Sequence, residues 1–324
     1  MTHAIRIHQF GGPEVMQWEA VDLPPPVAGE IRLKQTAVGL NYIDVYQRTG
    51  LYPNPTPFTL GLEAAGVVET VGPNVTTLKP GERVAYATGP IGAYTEARNM
   101  PADRVVKLPM GISDQQAAAM MLQGMTVEYL LLRTYKVKRG DTILIHAAAG
   151  GVGLILCQWA KHLGATVIGT VSSDEKAALA RANGCDFPIV YTREDFHARV
   201  MEITNGAKVP VVYDSVGRDT FNKSLDCLAP RGLLALFGQA SGPVPPFELG
   251  TLAQKGSLFI TRPTLFTYTA ARADLEASAN ALFEVVQLGA VKISVNQTYS
   301  LRDAAAAHRD LEARKTTGST VLTV

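Results

Sequence analysis

The stretch Gly140-Asp-Thr-Ile-Leu-Ile-His-Ala-Ala-Ala-Gly150-Gly151-Val152-Gly153, running on to Gln158 and Lys161, decides the fold. Thr142 to Ala147 is an apolar, partly β-branched run bounded by Gly140-Asp141, the pattern of a buried strand. Leu154, Ile155, Cys157, Trp159 and Ala160 continue at helical length until Gly164 stops them. Between strand and helix sits Ala148-x-Gly150-x-x-Gly153, a dinucleotide fingerprint with Ala in the first glycine position. Gly150 lets a pyrophosphate approach the backbone, and Gly153 lets the helix pack close to the strand. The helix N-terminus offers free N–H groups and a positive dipole end to the anion. The spacing alone also fits a glycine-rich turn in any α/β protein, so its context matters.

That context is an alternation of strand and helix. Thr166 to Val171 reads as a second strand, followed by a helix capped by Ser173 or Asp174 and ended at Asn183-Gly184. Pro188 to Val190, Pro210 to Tyr213, Leu233 to Phe237 and Ser257 to Ile260 read as further strands, with a helix near Glu194 to Ile203. The pattern predicts an α/β fold with a doubly wound parallel sheet and ligands at the carboxyl ends of its strands. Residues 1 to about 120 differ. Ala4 to His8, Ile31 to Val38, Gly61 to Val71 and Arg83 to Ala87 are short strands between Gly- and Pro-rich turns, which predicts a Greek-key or barrel-like domain. Ser113 and Gln116 form a capping box, and Gly124 is expected to split the helical region 113–135 in two. The amphipathic segments Arg272 to Gly289 and Arg302 to Arg314 are expected to return to the first domain. The expected division is 1–122 with 263–324 as one domain and 123–262 as the other.

A chain of 324 residues exceeds one ordinary core. A formal charge of +1 gives no electrostatic case for a nucleic-acid or membrane partner. Cys157, Cys185 and Cys227 have neither disulfide-framework nor metal-ligand spacing, which points to a reducing, cytoplasmic compartment. The opening residues lack a signal-peptide apolar region, and no apolar run reaches bilayer length.

In a dinucleotide-binding unit the residues ending strand two meet the adenosine ribose, and a carboxylate there repels a 2′-phosphate. Here that position holds Ser172-Ser173, with Lys176 one turn on, which favours NADPH over NADH. Asp174 and Glu175 pull the other way, since either could reach a ribose. A second stretch, Gly39 to Tyr52, mixes polar and aromatic groups unlike a plain core strand. It reads either as a site wall or as a surface turn leading into a short helix capped by Asn41.

Taken together, Gly140-Asp141-x-x-Leu144-x-x-x-Ala148-Ala149-Gly150-Gly151-x-Gly153-x-x-x-x-Gln158-x-x-Lys161, Asn41-Tyr-Ile-Asp44 and Tyr213-Asp-Ser-Val-Gly217 resemble the quinone oxidoreductase/ζ-crystallin family of medium-chain dehydrogenase/reductases. The resemblance covers essentially the whole chain and looks closest to the bacterial NADPH-dependent members. It implies a GroES-like catalytic domain, an inserted Rossmann domain and a homodimer. The zinc alcohol dehydrogenases of the superfamily carry Cys, His and Cys where this chain has Asn41, Leu62 and Leu122, none of them a usual zinc ligand. No metal is therefore expected, and zinc-assisted alcohol oxidation is not the expected chemistry. Carried over residue by residue, the resemblance places Gly150, Gly151 and Val152 at the pyrophosphate. It places Ser172, Lys176, Tyr191 and Arg314 around the adenosine and its 2′-phosphate. Asn41, Ile43, Asp44, Thr126, Phe237, Gly238 and Ser241 fall near the nicotinamide half.

The implied reaction is reduction of a small-molecule quinone by NADPH. A quinone is already electron-poor, so it needs a hydride donor at near-attack distance more than acid catalysis. Asn41, Tyr46 and Tyr52 are the expected lining of the substrate slot: the tyrosines to stack or donate, Asn41 to orient substrate or cofactor amide. Reduction of activated C=C bonds in enones or acrylates would use the same hydride geometry. A non-catalytic, crystallin-like binding protein is the reading of a different class.

Overall fold

The alternating run near the start forms β1 (Thr2–Ile7), which pairs antiparallel with β2 (Gln17–Val21). The long β3 (Glu30–Leu40) runs into helix α1 (Tyr42–Arg48). Then come β4 (Phe58–Thr59), β5 (Glu63–Val71), β6 (Arg83–Tyr86), β7 (Ala97–Pro101) and β8 (Val106–Lys107). Helices α2 (Asp114–Ala118) and α3 (Met121–Tyr129) follow. Ser113 caps α2 through the expected box with Gln116. Gly124 does not split the region: it lies inside α3, and the break falls at Ala119–Met120 instead. Its missing side chain serves packing, because a Cβ there would stand 2.6 Å from Leu282 Cδ2.

The expected alternation then appears in full. β9 (Thr142–Ile145), α4 (Gly151–His162), β10 (Thr166–Val171), α5 (Asp174–Ala182), β11 (Phe187–Val190) and α6 (Phe196–Ile203) come first. β12 (Val209–Asp214), α7 (Phe221–Asp226), β13 (Leu228–Leu236), α8 (Gly250–Gln254), β14 (Phe259–Thr261) and α9 (Leu265–Tyr268) complete it. The six strands form one parallel sheet ordered β11-β10-β9-β12-β13-β14. In order of appearance this is 3-2-1-4-5-6, the doubly wound order whose switch point lies between β9 and β12. Leu144, Ile168, Val212 and Leu234 from the central strands pack with Phe221 and Leu225 of α7.

The chain closes with α10 (Arg272–Gln287), β15 (Val295–Ser300), α11 (Ala304–Glu312) and β16 (Ser319–Thr323). β2, β1 and β4 form a small sheet of their own, and β15 and β16 extend the sheet built on β3, giving the order β15-β16-β3-β5-β6-β8, with β7 also paired to β3. The amphipathic segments therefore do return to the opening part of the chain, but two strands escaped the sequence reading and do the closing. Ile31, Leu33, Val84, Met100 and Leu322 are fully buried in this core, each contributing about 1.5–3 kcal/mol by burial.

The computed structural model covers residues 1–324 and divides into two units. The first is Met1–Met125, Tyr268–Gln287 and Ile293–Val324, and the second is Thr126–Thr267 with Leu288–Lys292. No helix is long and apolar enough to cross a membrane.

Candidate active site

In the first unit the site grows from the end of β3. Asn41 leaves that strand in an extended conformation (φ −130°, ψ 154°) and starts α1. Its backbone N–H donates to Asp44 Oδ2 at 2.9 Å, so the carboxylate one turn on closes the helix start. The Asn41 side chain lies opposite the Asp44 backbone N–H in a capping box, without a well-formed hydrogen bond to it. It turns into a buried polar cluster. Asn41 Nδ2 donates to Glu63 Oε2 at 2.6 Å, and Gln123 Nε2 donates to Asn41 Oδ1 at 3.2 Å. Glu63 Oε1 accepts from the backbone N–H of Leu122 at 2.7 Å. Gly39 makes room for this carboxylate, since a Cβ there would fall on Glu63 Oε2 and the Ala118 carbonyl.

Both carboxyls of the cluster are fully buried. Desolvation pushes Glu63 up to about 8 and Asp44 up to about 7, against the hydrogen bonds that each accepts. Asp44 Oδ2 takes bonds from Asn41 and from Tyr94 Oη at 2.9 Å, while its Oδ1 accepts none. Leu62, beside Glu63, is buried. The positions that would ligate zinc in the alcohol dehydrogenases thus hold an amide anchored from both sides and two leucines.

Along α1 the three tyrosines form one cluster. Tyr46 packs edge-on to Tyr42 (centroids 5.3 Å apart) and to Tyr52 (5.2 Å). Tyr46 and Tyr52 are therefore together, as the substrate-slot reading requires, and Tyr42 joins them. Tyr46 is buried, while Ile43 and Tyr52 are half-buried. Burial raises the pKa of the Tyr42 hydroxyl, helped by the Glu312 charge and opposed by that of Arg314, which lies just past α11 with φ 57°.

In the second unit the fingerprint turn joins β9 to α4 at the sheet's switch point. Ala147 takes a left-handed φ of 55° and its carbonyl accepts from Gly150 N at 2.9 Å, forming the tight turn. Gly150 is the N-cap of α4, and the N–H groups of Gly151, Val152 and Gly153 have no partner within the helix. A Cβ on Gly150 would meet only the Ala147 carbonyl, at 3.2 Å, leaving open space beyond. A Cβ on Gly153 would stand 2.7 Å from the Ala148 carbonyl carbon, so helix and turn approach as closely as the fingerprint demands. The turn can hold a pyrophosphate.

The other expected residues of this unit gather at the carboxyl ends of its strands. Ser172 follows β10, and Ser173 caps α5 by accepting from Lys176 N at 3.3 Å. Tyr191 follows β11 and is 40% exposed, so part of its ring is open to a ligand. Asp174 is bound by both Arg193 guanidinium nitrogens, which neutralise the carboxylate that weighed against a 2′-phosphate. Phe237 and Gly238 follow β13, and both backbone N–H groups donate to the Asp214 carbonyl. Ser241 Oγ donates to Val216 O at 2.8 Å and pins the neighbouring loop. Thr126 is buried in α3.

Sequence reasoning missed the role of Asp214. Its Oδ1 accepts from Val216 and Gly217 N, and its Oδ2 from Thr220 and Ser224 Oγ, which shapes the loop after β12. Ser224 Oγ also stands 2.9 Å from His146 Nε2, and His146 Nδ1 2.9 Å from Thr170 Oγ1. This fully buried set ties β9, β10 and β12 together below the turn. The polar residues at the ends of those strands were the available signal.

A family model for the alcohol dehydrogenase GroES-like domain matches residues 27–110, and one for zinc-binding dehydrogenases matches residues 151–281. A quinone oxidoreductase of Pseudomonas aeruginosa is 54% identical over 323 residues, covering 99% of both chains. A 2-haloacrylate reductase of a Burkholderia species is 49% identical over 330 residues, again covering 99% of both. The crystal structure of the Escherichia coli quinone oxidoreductase complexed with NADPH superposes with a TM-score of 0.98 at 49% identity, over 99% of this chain and 100% of that one. The chain belongs to the quinone oxidoreductase family of the medium-chain dehydrogenase/reductases.

Proposed function

We propose that this protein is an NADPH-dependent quinone reductase. The observation that carries the reading is the second unit's phosphate turn at the switch point, with Ser172 and Lys176 at the end of the adjacent strand. Gly150, Gly151 and Val152 hold the pyrophosphate. Ser172, Lys176, Tyr191 and Arg314 hold the adenosine and its 2′-phosphate. Asn41, Ile43, Asp44, Thr126, Phe237, Gly238 and Ser241 contact the nicotinamide half. The open space at Gly150 and the unused oxygen of Asp44 fit such a ligand. The relatives support the choice: a full-length neighbour was crystallised with NADPH, and another is named for quinone reduction.

When bound, NADPH supplies the hydride. The chain's residues orient the reactants, exclude water and stabilise the charge that develops on the quinone oxygen. Tyr46 and Tyr52 line the slot and stack on the planar substrate. Asn41, the third catalytic residue of this reading, donates its remaining amide hydrogen to the substrate or cofactor carbonyl. The functional division of this reading is 1–122 with 263–324 as the catalytic domain and 123–262 as the NADPH-binding domain, which the two compact units support. The reading extends to a cytoplasmic homodimer, the assembly the family resemblance implies; the chain's free, buried cysteines fit a reducing compartment.

Reduction of an activated C=C bond is the second reading, favoured by the likeness to the haloacrylate reductase. An anaerobic nicotinamide-oxidation assay separates the two. Fast NADPH consumption with small ortho- or para-quinones is the expected result. Turnover with a simple enone alone would reassign the substrate, and tight NADPH binding without any turnover would point to a binding role.

A further inference from the structure

Glu63, Asn41, Gln123 and Ser319 form a ladder in which every rung has a direction. Glu63 accepts from Asn41 Nδ2, Asn41 Oδ1 accepts from Gln123 Nε2, and Gln123 Oε1 accepts from Ser319 Oγ at 2.8 Å. Ser319 Oγ also stands 2.8 Å from the Ala119 carbonyl, so its one hydrogen has two acceptors. A carboxylate can only accept, so ionised Glu63 dictates this order. A protonated Glu63 must donate, because Leu122 N already holds its other oxygen. The ladder then satisfies every atom only when reversed. Glu63 donates to Asn41 Oδ1, Asn41 Nδ2 to Gln123 Oε1, Gln123 Nε2 to Ser319 Oγ, and Ser319 to Ala119 O.

We propose that Glu63 is a positioning residue that acts through Asn41: its charge fixes which edge of the Asn41 carboxamide offers a donor to the reacting molecules. Reversal exchanges the free N–H and the free lone pair of Asn41, so a group that needs a donor finds an acceptor. The inference rests on the reading that Asn41 touches substrate or cofactor. The groups facing Glu63 are Asn41 and Asp44 from the start of α1, the backbone N–H groups of Met121 and Leu122, and the Tyr86 and Tyr94 hydroxyls. Burial, with the nearby Asp44 charge, brings proton loss by Glu63 into the working pH range.

Glu63→Gln is the test. The fixed Leu122 N–H takes the new amide oxygen, which turns the amide nitrogen to Asn41 and traps the reversed ladder. The expected result is a folded variant that binds NADPH within about threefold of the parent by fluorescence, with kcat down about tenfold or more. The rise of kcat with pH on the acid side is lost in Glu63→Gln. Adding Asn41→Asp to Glu63→Gln keeps an acceptor opposite the new amide nitrogen but removes the carboxamide N–H altogether. That double variant is expected to fold with kcat no higher than in Glu63→Gln alone, and recovery of the parent's kcat would make Glu63 purely structural and overturn the proposal. So would a folded Glu63→Gln with the parent's kcat across the pH range. Gln123→Glu offers Asn41 an acceptor from the other side and is expected to lower kcat as well; parental kcat there also overturns the proposal. Asn41→Ala at parental kcat would instead overturn the reading of Asn41 itself.

Discussion

The Tyr94 hydroxyl stands 3.0 Å from His308 Nε2. Arg48, fully buried, places Nη1 3.1 Å from His308 Nδ1 and grips Glu312 with Nη2 at 2.8 and 2.9 Å. Arginine can only donate, so His308 accepts at Nδ1 and carries its hydrogen on Nε2. His308 then donates to Tyr94, and Tyr94 to Asp44 Oδ2. The chain of donors points one way, from the guanidinium to the carboxyl that holds the start of α1. Burial, followed by the Arg48 charge, keeps His308 down at about 3, so the ring stays neutral.

This arrangement sets the pH dependence of stability. Asp44 and Glu63 titrate at about 7 and about 8 in the folded chain and near 4 when unfolded. The folded state therefore holds more protons, and stability falls as pH rises from about 4 to about 8. His308 has the opposite sign: its lowered value makes stability fall as pH drops from about 6.5 to about 3. Between about pH 6.5 and 8.5 the carboxyls dominate, and the buried Cys157 and Cys227 thiols, held above their ordinary range, add a smaller loss of the same sign near the upper end. Urea denaturation is expected to show a loss on the order of 2–3 kcal/mol over that window, of which Asp44→Asn removes about 1. An unchanged slope in Asp44→Asn would place the titrating group elsewhere.

Lys176 lies in the first turn of α5, three residues past the Ser173 cap. In the proposed complex it faces the 2′-phosphate. Lys176→Ala is expected to raise KM for NADPH about tenfold, the worth of a charged hydrogen bond, while leaving KM for NADH nearly unchanged. Equal effects on the two cofactors would refute the assignment.

The two glycines of the fingerprint make different demands. At Gly150 a Cβ has one tight neighbour, the Ala147 carbonyl at 3.2 Å, which must give by a few tenths of an ångström, and in this reading it fills the space the pyrophosphate needs. Gly150→Val is expected to fold and to lose NADPH binding in calorimetry. At Gly153 the neighbour is backbone of Ala148, which cannot step aside. Gly153→Ala is expected to lower stability by about 1–3 kcal/mol even without cofactor. Parental NADPH affinity in a folded Gly150→Val would refute the turn assignment.

The parallel sheet was legible because each of its strands is a short apolar run punctuated by a cap or a glycine, from Thr142 through Ser173 to Asp195. The strands β2, β15 and β16 were not. Gln17–Val21 and Val295–Ser300 have no fully buried residue, so they carry no clear apolar pattern. Ser319–Thr323 is buried almost throughout and alternates nothing. At the candidate site, Asn41, Tyr46 and Tyr52 stood out by being polar and aromatic in one short stretch. Glu63, Gln123, Ser319 and His308 did not, because their meaning lies in partners 22 to 260 residues away.

Gly124 was read as a helix breaker and is a packing residue. In a helix interior glycine costs about 1 kcal/mol relative to alanine, so Gly124→Ala would be expected to stabilise α3 if propensity alone decided. The structure says otherwise. The added Cβ would stand 2.6 Å from Cδ2 of Leu282, a fully buried residue of α10, so that side chain must shift within a packed core. Overpacking of this kind costs about 1–3 kcal/mol and exceeds the propensity gain. Gly124→Ala is therefore expected to lower the thermal midpoint, and Leu282→Ala in the same chain to relieve the strain, so that the pair is more stable than the sum of the single effects. Additive losses in that double-mutant cycle, measured by denaturant unfolding, would mean that Gly124 is not held glycine by Leu282.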